Sequence, residues 1–193
     1  MNDRSQGFFL GEIIRALDDV GIAYMVCGSL GSSFHGQPRA TNDVDLVIAP
    51  TRPQLEALVE ALVPRFYADR GAALDALTKG GSFNVIEGET GWKADLIPLR
   101  DRPFSRAEFA RRREAEVLGM TLYVVSAEDA ILSKLEWARK GASERQIRDA
   151  AGIVATQGTG LDREYLDTWA RELGVTDLLE ELLREEDQPP EAG

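Results

Sequence analysis

Residues 24–48 read YMVCGSLGSSFHGQPRATNDVDLVI, and the fold turns on this stretch. An apolar run over residues 22–27 stops at Gly28-Ser29. A short small-residue segment then leads through Gly36-Gln37-Pro38-Arg39 to Asp43-Val44-Asp45, which opens a second apolar run ending at Ala49. The pattern predicts strand, turn, short helix, loop, strand. Asp43 and Asp45 stand at i and i+2, so on a strand they project from the same face.

Two like charges about 5–7 Å apart are unfavourable unless something positive lies between them, and hard divalent cations prefer oxygen ligands. The alternative is a pair of solvated residues at a strand mouth. Against it, Val44-Leu46-Val47-Ile48 has the β-branched, apolar character of a buried strand, which places its start near the core. Gly28-Ser29 adds a second component: a glycine-serine turn ahead of a helix presents backbone N–H groups and a hydroxyl to a phosphate. A phosphate site facing a cation-binding carboxylate pair points to phosphoryl or nucleotidyl transfer.

The series Gly28-Ser29, Gly36-x-Pro38-Arg39-x-Thr41-x-Asp43-x-Asp45, followed by an apolar strand, resembles the nucleotidyltransferase superfamily, marked by a Gly-Ser turn and a later Asp-x-Asp. Within it, the chain resembles the stand-alone bacterial AbiEii-type proteins of type IV toxin-antitoxin systems. Thirteen residues separate Ser29 from Asp43, more than in the antibiotic-modifying and minimal members, so the substrates of those members are not carried over. The resemblance implies an α/β fold with a mixed twisted sheet, flanking helices and a C-terminal helical bundle. It also implies transfer of a nucleoside monophosphate from a nucleoside triphosphate to a hydroxyl acceptor, with Mg²⁺ (or Mn²⁺) as cofactor. A toxin role with a cognate antitoxin as partner follows from the same likeness.

Composition sets outer limits. A chain of 193 residues, 44% hydrophobic and 28% charged, is long enough for a proper core and has the make-up of a globular protein. No window approaches a membrane span and the amino terminus lacks a signal-peptide pattern, which leads us to expect a cytoplasmic protein with no membrane partner. One cysteine, Cys27, and one histidine, His35, argue against a zinc site. Cys27 in an apolar strand reads as a structural thiol, and His35 beside Gly36 as a capping or packing group more readily than a base.

A net charge of −11 argues against broad attraction to nucleic acid. Arg100, Arg102, Arg106, Arg111, Arg112 and Arg113 are the local exception. They form either a solvated helix face offset by Glu108, Glu114 and Glu116, or a surface for phosphate or an RNA acceptor.

Along the chain, residues 8–20 predict an amphipathic helix stopped by Gly21. Thr51-Arg52-Pro53-Gln54 resembles a capping box and opens a helix to about Val63, and residues 71–79 predict another. Residues 83–86 and 92–97 flank Gly88-Glu89-Thr90-Gly91 as a hairpin. Asp95 lies inside its second strand, where a charge is costly unless paired or bound to metal. Lys93 shares its face and would neutralise it. The resemblance instead makes Asp95 the third metal ligand, with Asp43 and Asp45, and the proton acceptor. Ser105-x-x-Glu108 predicts a charged helix to about Leu118, and residues 120–125 a last strand.

From Ser126-x-x-Asp129 the pattern is helical: one helix closed by Gly141, then others opened by Ser143, Asp162 and Thr176. The expected organisation is a core over residues 1–125, a helical cap over 126–186 and a disordered tail over 187–193. Lys134 sits at the edge of an apolar stripe, either as a snorkelling surface lysine or, by the resemblance, as a phosphate contact. The resemblance adds Gly28, Ser29, Ser32, Arg39 and Thr41 to the nucleotide-binding set. A G-x-G-x-x-G fingerprint is absent, Gly28 and Gly31 giving only G-x-x-G, and there is no Walker pattern. The rival from a different class is a catalytically silent nucleotide-binding or protein-interaction module on the same fold.

Overall fold

The computed structural model describes residues 5–37, 41–141 and 143–186. They fall into two compact units, one built from residues up to Leu30 together with those from Thr41 to Val125, the other from residues 31–37 and those from Ser126 onward. Arg39 and the tail over 187–193 lie outside the described residues.

The first unit is a seven-stranded mixed sheet in the order β3 (Tyr67–Ala68), β4 (Phe83–Ile86), β5 (Lys93–Pro98), β2 (Asp43–Ala49), β1 (Ala23–Cys27), β7 (Met120–Val124), β6 (Arg113–Val117). Its centre is the stretch quoted above: β1 (Ala23–Cys27) runs antiparallel to β2 (Asp43–Ala49) and parallel to β7 (Met120–Val124). β2 in turn pairs in parallel with β5 (Lys93–Pro98), which forms a hairpin with β4 (Phe83–Ile86). The two-residue β3 (Tyr67–Ala68), which sequence patterning did not predict, finishes that edge. Along β2, Val44, Leu46 and Ile48 are fully buried while Asp43, Asp45 and Val47 stand on the other face. Period-two alternation thus assigns the hydrophobic positions to the core and the acids to one common side.

Three helices of this unit begin where side chains accept their free N–H groups. Ser5 Oγ accepts from Phe8 N at the start of α1 (Gln6–Asp19), whose Phe9, Leu10, Ile13, Ile14 and Leu17 are buried. Thr51 and Gln54 form the capping box of α3 (Arg52–Leu62). The Gln54 amide also donates to the carbonyls of Val20 and Gly21, at 3.1 and 2.8 Å, which ties the start of α3 to the turn ahead of β1. α4 (Arg70–Lys79) is capped by Asp69 and matches the predicted helix over 71–79.

One predicted helix is wrong in extent. The charged helix expected from Ser105 to about Leu118 is only the short α5 (Pro103–Ala110), and Arg113–Val117 is a strand, β6, antiparallel to β7. Leu118 and Gly119 both have positive φ, +53° and +76°, and join Val117 to Met120 in a two-residue turn. Consecutive positive φ values are what a tight hairpin of the primed type requires. Charged side chains on the outward positions of β6 concealed its alternation.

The second unit is helical: α6 (Ala127–Gly141), α7 (Glu144–Gln157), a short 3-10 turn, α8 (Arg163–Leu173) and α9 (Thr176–Glu186). Ile131, Leu135, Ile153, Leu166, Ala170 and Leu179 are buried within it. Asp162 caps α8 by accepting from Tyr165 N at 3.0 Å. Ser126 Oγ accepts from Asp129 N at 3.1 Å and donates to Asp129 Oδ2 at 2.6 Å, closing the first turn of α6. The mixed sheet with flanking helices and a run of C-terminal helices is the nucleotidyltransferase-like architecture expected from the sequence.

Candidate functional site

α2 (Gly28–His35) starts directly after β1. Gly28 adopts φ +59°, and a Cβ there would come within 1.8 Å of Asp45 Oδ2. Only glycine combines the left-handed backbone with that close approach, so the chain turns into α2 directly over the Asp45 carboxylate. Ser29, the next residue, is buried.

Sheet register gathers the acids. Asp45 is opposite Cys27 on one side and opposite Asp95 on the other, and Asp95 is opposite Asn84. Residues in register share a face. A row Cys27–Asp45–Asp95–Asn84 therefore crosses four adjacent strands, with Asp43 and Lys93 paired one step along at the strand mouths. The Cys27 thiol donates to the Asp45 carbonyl at 3.5 Å, which favours its structural role. Thr41 Oγ1 donates to the Asp43 carbonyl at 3.0 Å and accepts from Asp43 N at 3.3 Å, so Thr41 fixes the entry to β2.

Lys93 reaches into this group. Its Nζ lies 3.2 Å from Asp95 Oδ2 and 3.5 Å from Asp43 Oδ1. Burial pulls the ammonium pKa down, but hydrogen bonding and charge from Asp95, and then from Asp43, outweigh it and leave the pKa raised. Among the described residues, no group of three or more His, Cys, Asp or Glu side chains converges on a point where one ion could sit. The donor set nevertheless suits a hard divalent cation: carboxylates on two adjacent strands, one face, at the strand mouths. The position between Asp43 and Asp95 is taken by the lysine.

The remaining candidates belong to the second unit. Ser32 is buried there, and the His35 carbonyl accepts from Gln157 Nε2 at 2.8 Å while its ring meets Phe34 edge to face. Lys134 is no snorkelling surface residue: it is buried and its Nζ is 2.9 Å from Asp149 Oδ2. Asp149 was not picked out from the sequence, because it lies on α7 and only tertiary packing brings it to a lysine on α6.

Part of the arginine cluster is used by the first unit's own fold. Arg102 Nε donates to Ser105 Oγ at 2.8 Å, Arg106 pairs with Asp101, and Arg112 donates to the Phe109 carbonyl at 2.7 Å while stacking over the Phe109 ring at 4.2 Å. Arg100 and Arg113 are exposed. Among the described residues, no helix is long and apolar enough to cross a membrane.

No protein-family model and no curated protein sequence matches the chain. Solved structures do. The antibiotic-resistance factor ANT(2'')-Ia is similar at 18% identity and a TM-score of 0.60, over 93% of this chain and 97% of that one. An antigenic nucleotidyltransferase-like protein from Paracoccidioides brasiliensis is similar at 17% identity and a TM-score of 0.56, over 93% of each chain. The lincosamide antibiotic adenylyltransferase LnuA, bound to lincomycin, reaches 14% identity and a TM-score of 0.50, over 79% of this chain and 98% of that one. At such identities the likeness is one of architecture, and the chain has a nucleotidyltransferase-like fold.

Proposed function

We propose that the protein is a metal-dependent nucleotidyltransferase that moves a nucleoside monophosphate from a nucleoside triphosphate to a hydroxyl acceptor. One observation carries this: on a nucleotidyltransferase-like sheet, Asp43, Asp45 and Asp95 share one face, with the Gly28 turn folded directly over Asp45. Two of the similar structures, ANT(2'')-Ia with adenylyl-2''-tobramycin and LnuA with lincomycin, support a hydroxylated acceptor as the partner of a nucleotide.

In this reading Asp43, Asp45 and Asp95 would hold Mg²⁺. The ion, when bound, would neutralise phosphate charge and favour an ionised acceptor hydroxyl. Asp95 would take the acceptor's proton. Gly28 and Ser29 would offer the N–H groups at the start of α2, and the Ser29 hydroxyl, to the phosphates. Ser32, Arg39 and Lys134 complete the nucleotide set, with Asp149 fixing the position of the Lys134 ammonium. Thr41 would act indirectly, by fixing the strand that bears Asp43. The arginine cluster, Arg100, Arg102, Arg106, Arg111, Arg112 and Arg113, of which Arg100, Arg106 and Arg113 are exposed, is where an RNA acceptor would be met. An AbiEii-type toxin role, an antitoxin partner and a cytoplasmic location belong to the same proposal.

Lys93 seated between two of the acids favours a second reading, a catalytically silent nucleotide-binding or interaction module. Thermal-shift titration of wild type and Asp45→Asn with each nucleoside triphosphate, with and without Mg²⁺, tests the cation-dependent nucleotide site that the first reading requires, and the absence of a shift with any triphosphate would favour the interaction module. Ligand at 100 times its Kd stabilises the native state by ~2.7 kcal/mol, or roughly 5–11 °C at this chain length. A Mg²⁺-dependent shift confined to wild type is the expected result. A shift that Asp45→Asn retains in full, or one indifferent to Mg²⁺, would sink the carboxylate site.

A further inference from the structure

We infer that Lys93 is a built-in counter-ion: its ammonium stands in for the divalent cation on the carboxylate face, and must swing out for the cation to enter. This rests on the reading above, that Asp43, Asp45 and Asp95 bind a cation, and adds a residue that sets how tightly they do so.

Three facts carry it. Lys93 Nζ touches an acid from each of two strands, Asp43 on β2 and Asp95 on β5, at 3.5 and 3.2 Å, so it bridges two of the acids that would hold the cation. A third carboxylate, Asp45, lies in register with Asp95 on the same face, beside the bridged pair. Finally, the bridge can open without unfolding. The side chains of Lys93 and Asp43 are 32% and 54% exposed, and Lys93 is the first residue of β5, on a flexible four-carbon stem that can extend into solvent. Half-exposed ion pairs hold weakly. Lys93 is therefore neither a ligand nor a catalytic residue. It keeps the carboxylates from repelling one another when no cation is bound, and it lowers cation affinity by competing for the same oxygens.

The test is Mn²⁺ binding to the full chain, without nucleotide, followed by the electron paramagnetic resonance of the free ion. Removing the competitor in Lys93→Met is expected to tighten Mn²⁺ roughly three- to tenfold, the range that one or two half-exposed ion pairs allow. Asp45→Asn and Asp95→Asn should lose binding. Equal or weaker binding by Lys93→Met, with the aspartate variants still defective, would overturn the role of Lys93 and leave the cation site standing. Absence of binding in both wild type and Lys93→Met, or full binding in the aspartate variants, would overturn the cation site itself.

A measurement on wild type covers the case in which Lys93→Met does not fold. Reductive methylation read by peptide mass spectrometry should modify Lys93 faster when Mn²⁺ is added, relative to the exposed Lys79. A rate that is unchanged or lowered by Mn²⁺ would overturn displacement.

Discussion

Lys134 and Lys93 each meet aspartate, and their surroundings set them apart. In the helical unit, Lys134 and Asp149 have side chains only 9% and 15% exposed, and α6 and α7 bring them together at 2.9 Å. In the sheet unit, Lys93 bridges Asp43 and Asp95 at longer distances and in partial contact with water. A buried pair is held by the cost of leaving either charge alone in a poorly solvated place, whereas a half-exposed pair has water as an alternative partner at little cost. The same chemistry therefore gives a fixed strut in one unit and an exchangeable bridge in the other.

The largest expected effect lies on the strut. Lys134→Met takes the ammonium away from the mostly enclosed Asp149 and should destabilise the protein by about 3 kcal/mol in urea unfolding, while Lys134→Met combined with Asp149→Leu should recover much of the loss. A single-variant loss below about 1 kcal/mol would place this pair with the exposed ones and erase the contrast.

Next comes the turn over the carboxylates. Gly28→Ala forces a Cβ into the space held by Asp45 Oδ2 and retains a positive φ, so a loss of about 1–3 kcal/mol is expected, together with a displaced Asp45. A variant as stable as wild type, with its Mg²⁺-dependent nucleotide shift intact, would show that the turn does not shape the site.

The turn and the first acid pair were legible in the sequence because they are local. Gly28-Ser29 ends an apolar run, and Asp43 and Asp45 alternate with the buried Val44 and Leu46. Asp95 was legible as a charge in an apolar strand, yet its match with Asp45 is a property of the parallel pairing of β2 and β5, residues fifty apart in the chain. The same limit hid Asp149 as the partner of Lys134. β6 was lost for another reason. Its REAEV sequence keeps period two, but the arginines and glutamates around it read as a solvated helix, and the Leu118-Gly119 turn lacks the usual Asn-Gly signal.

The smallest effect expected belongs to the exchangeable bridge, and pH gives its sign. Burial opposes the Lys93 charge, the Asp95 and Asp43 carboxylates outweigh it, and the folded pKa lies above the unfolded one. The folded state therefore holds this proton more tightly than the unfolded chain. The resulting stability is fully present below the ordinary lysine value of about 10.4 and is lost as pH rises through the higher folded value. Lys93→Met removes that contribution, so wild type should exceed the variant by no more than about 1 kcal/mol at pH 8 in the absence of divalent ions, with the gap closing as pH rises through the folded lysine value. Urea unfolding of both proteins across this range reads it directly. A gap that stays constant as pH rises would mean that Lys93 stabilises the fold through its methylene stem rather than its charge, and the bridge between the two acids would then have no electrostatic role to exchange.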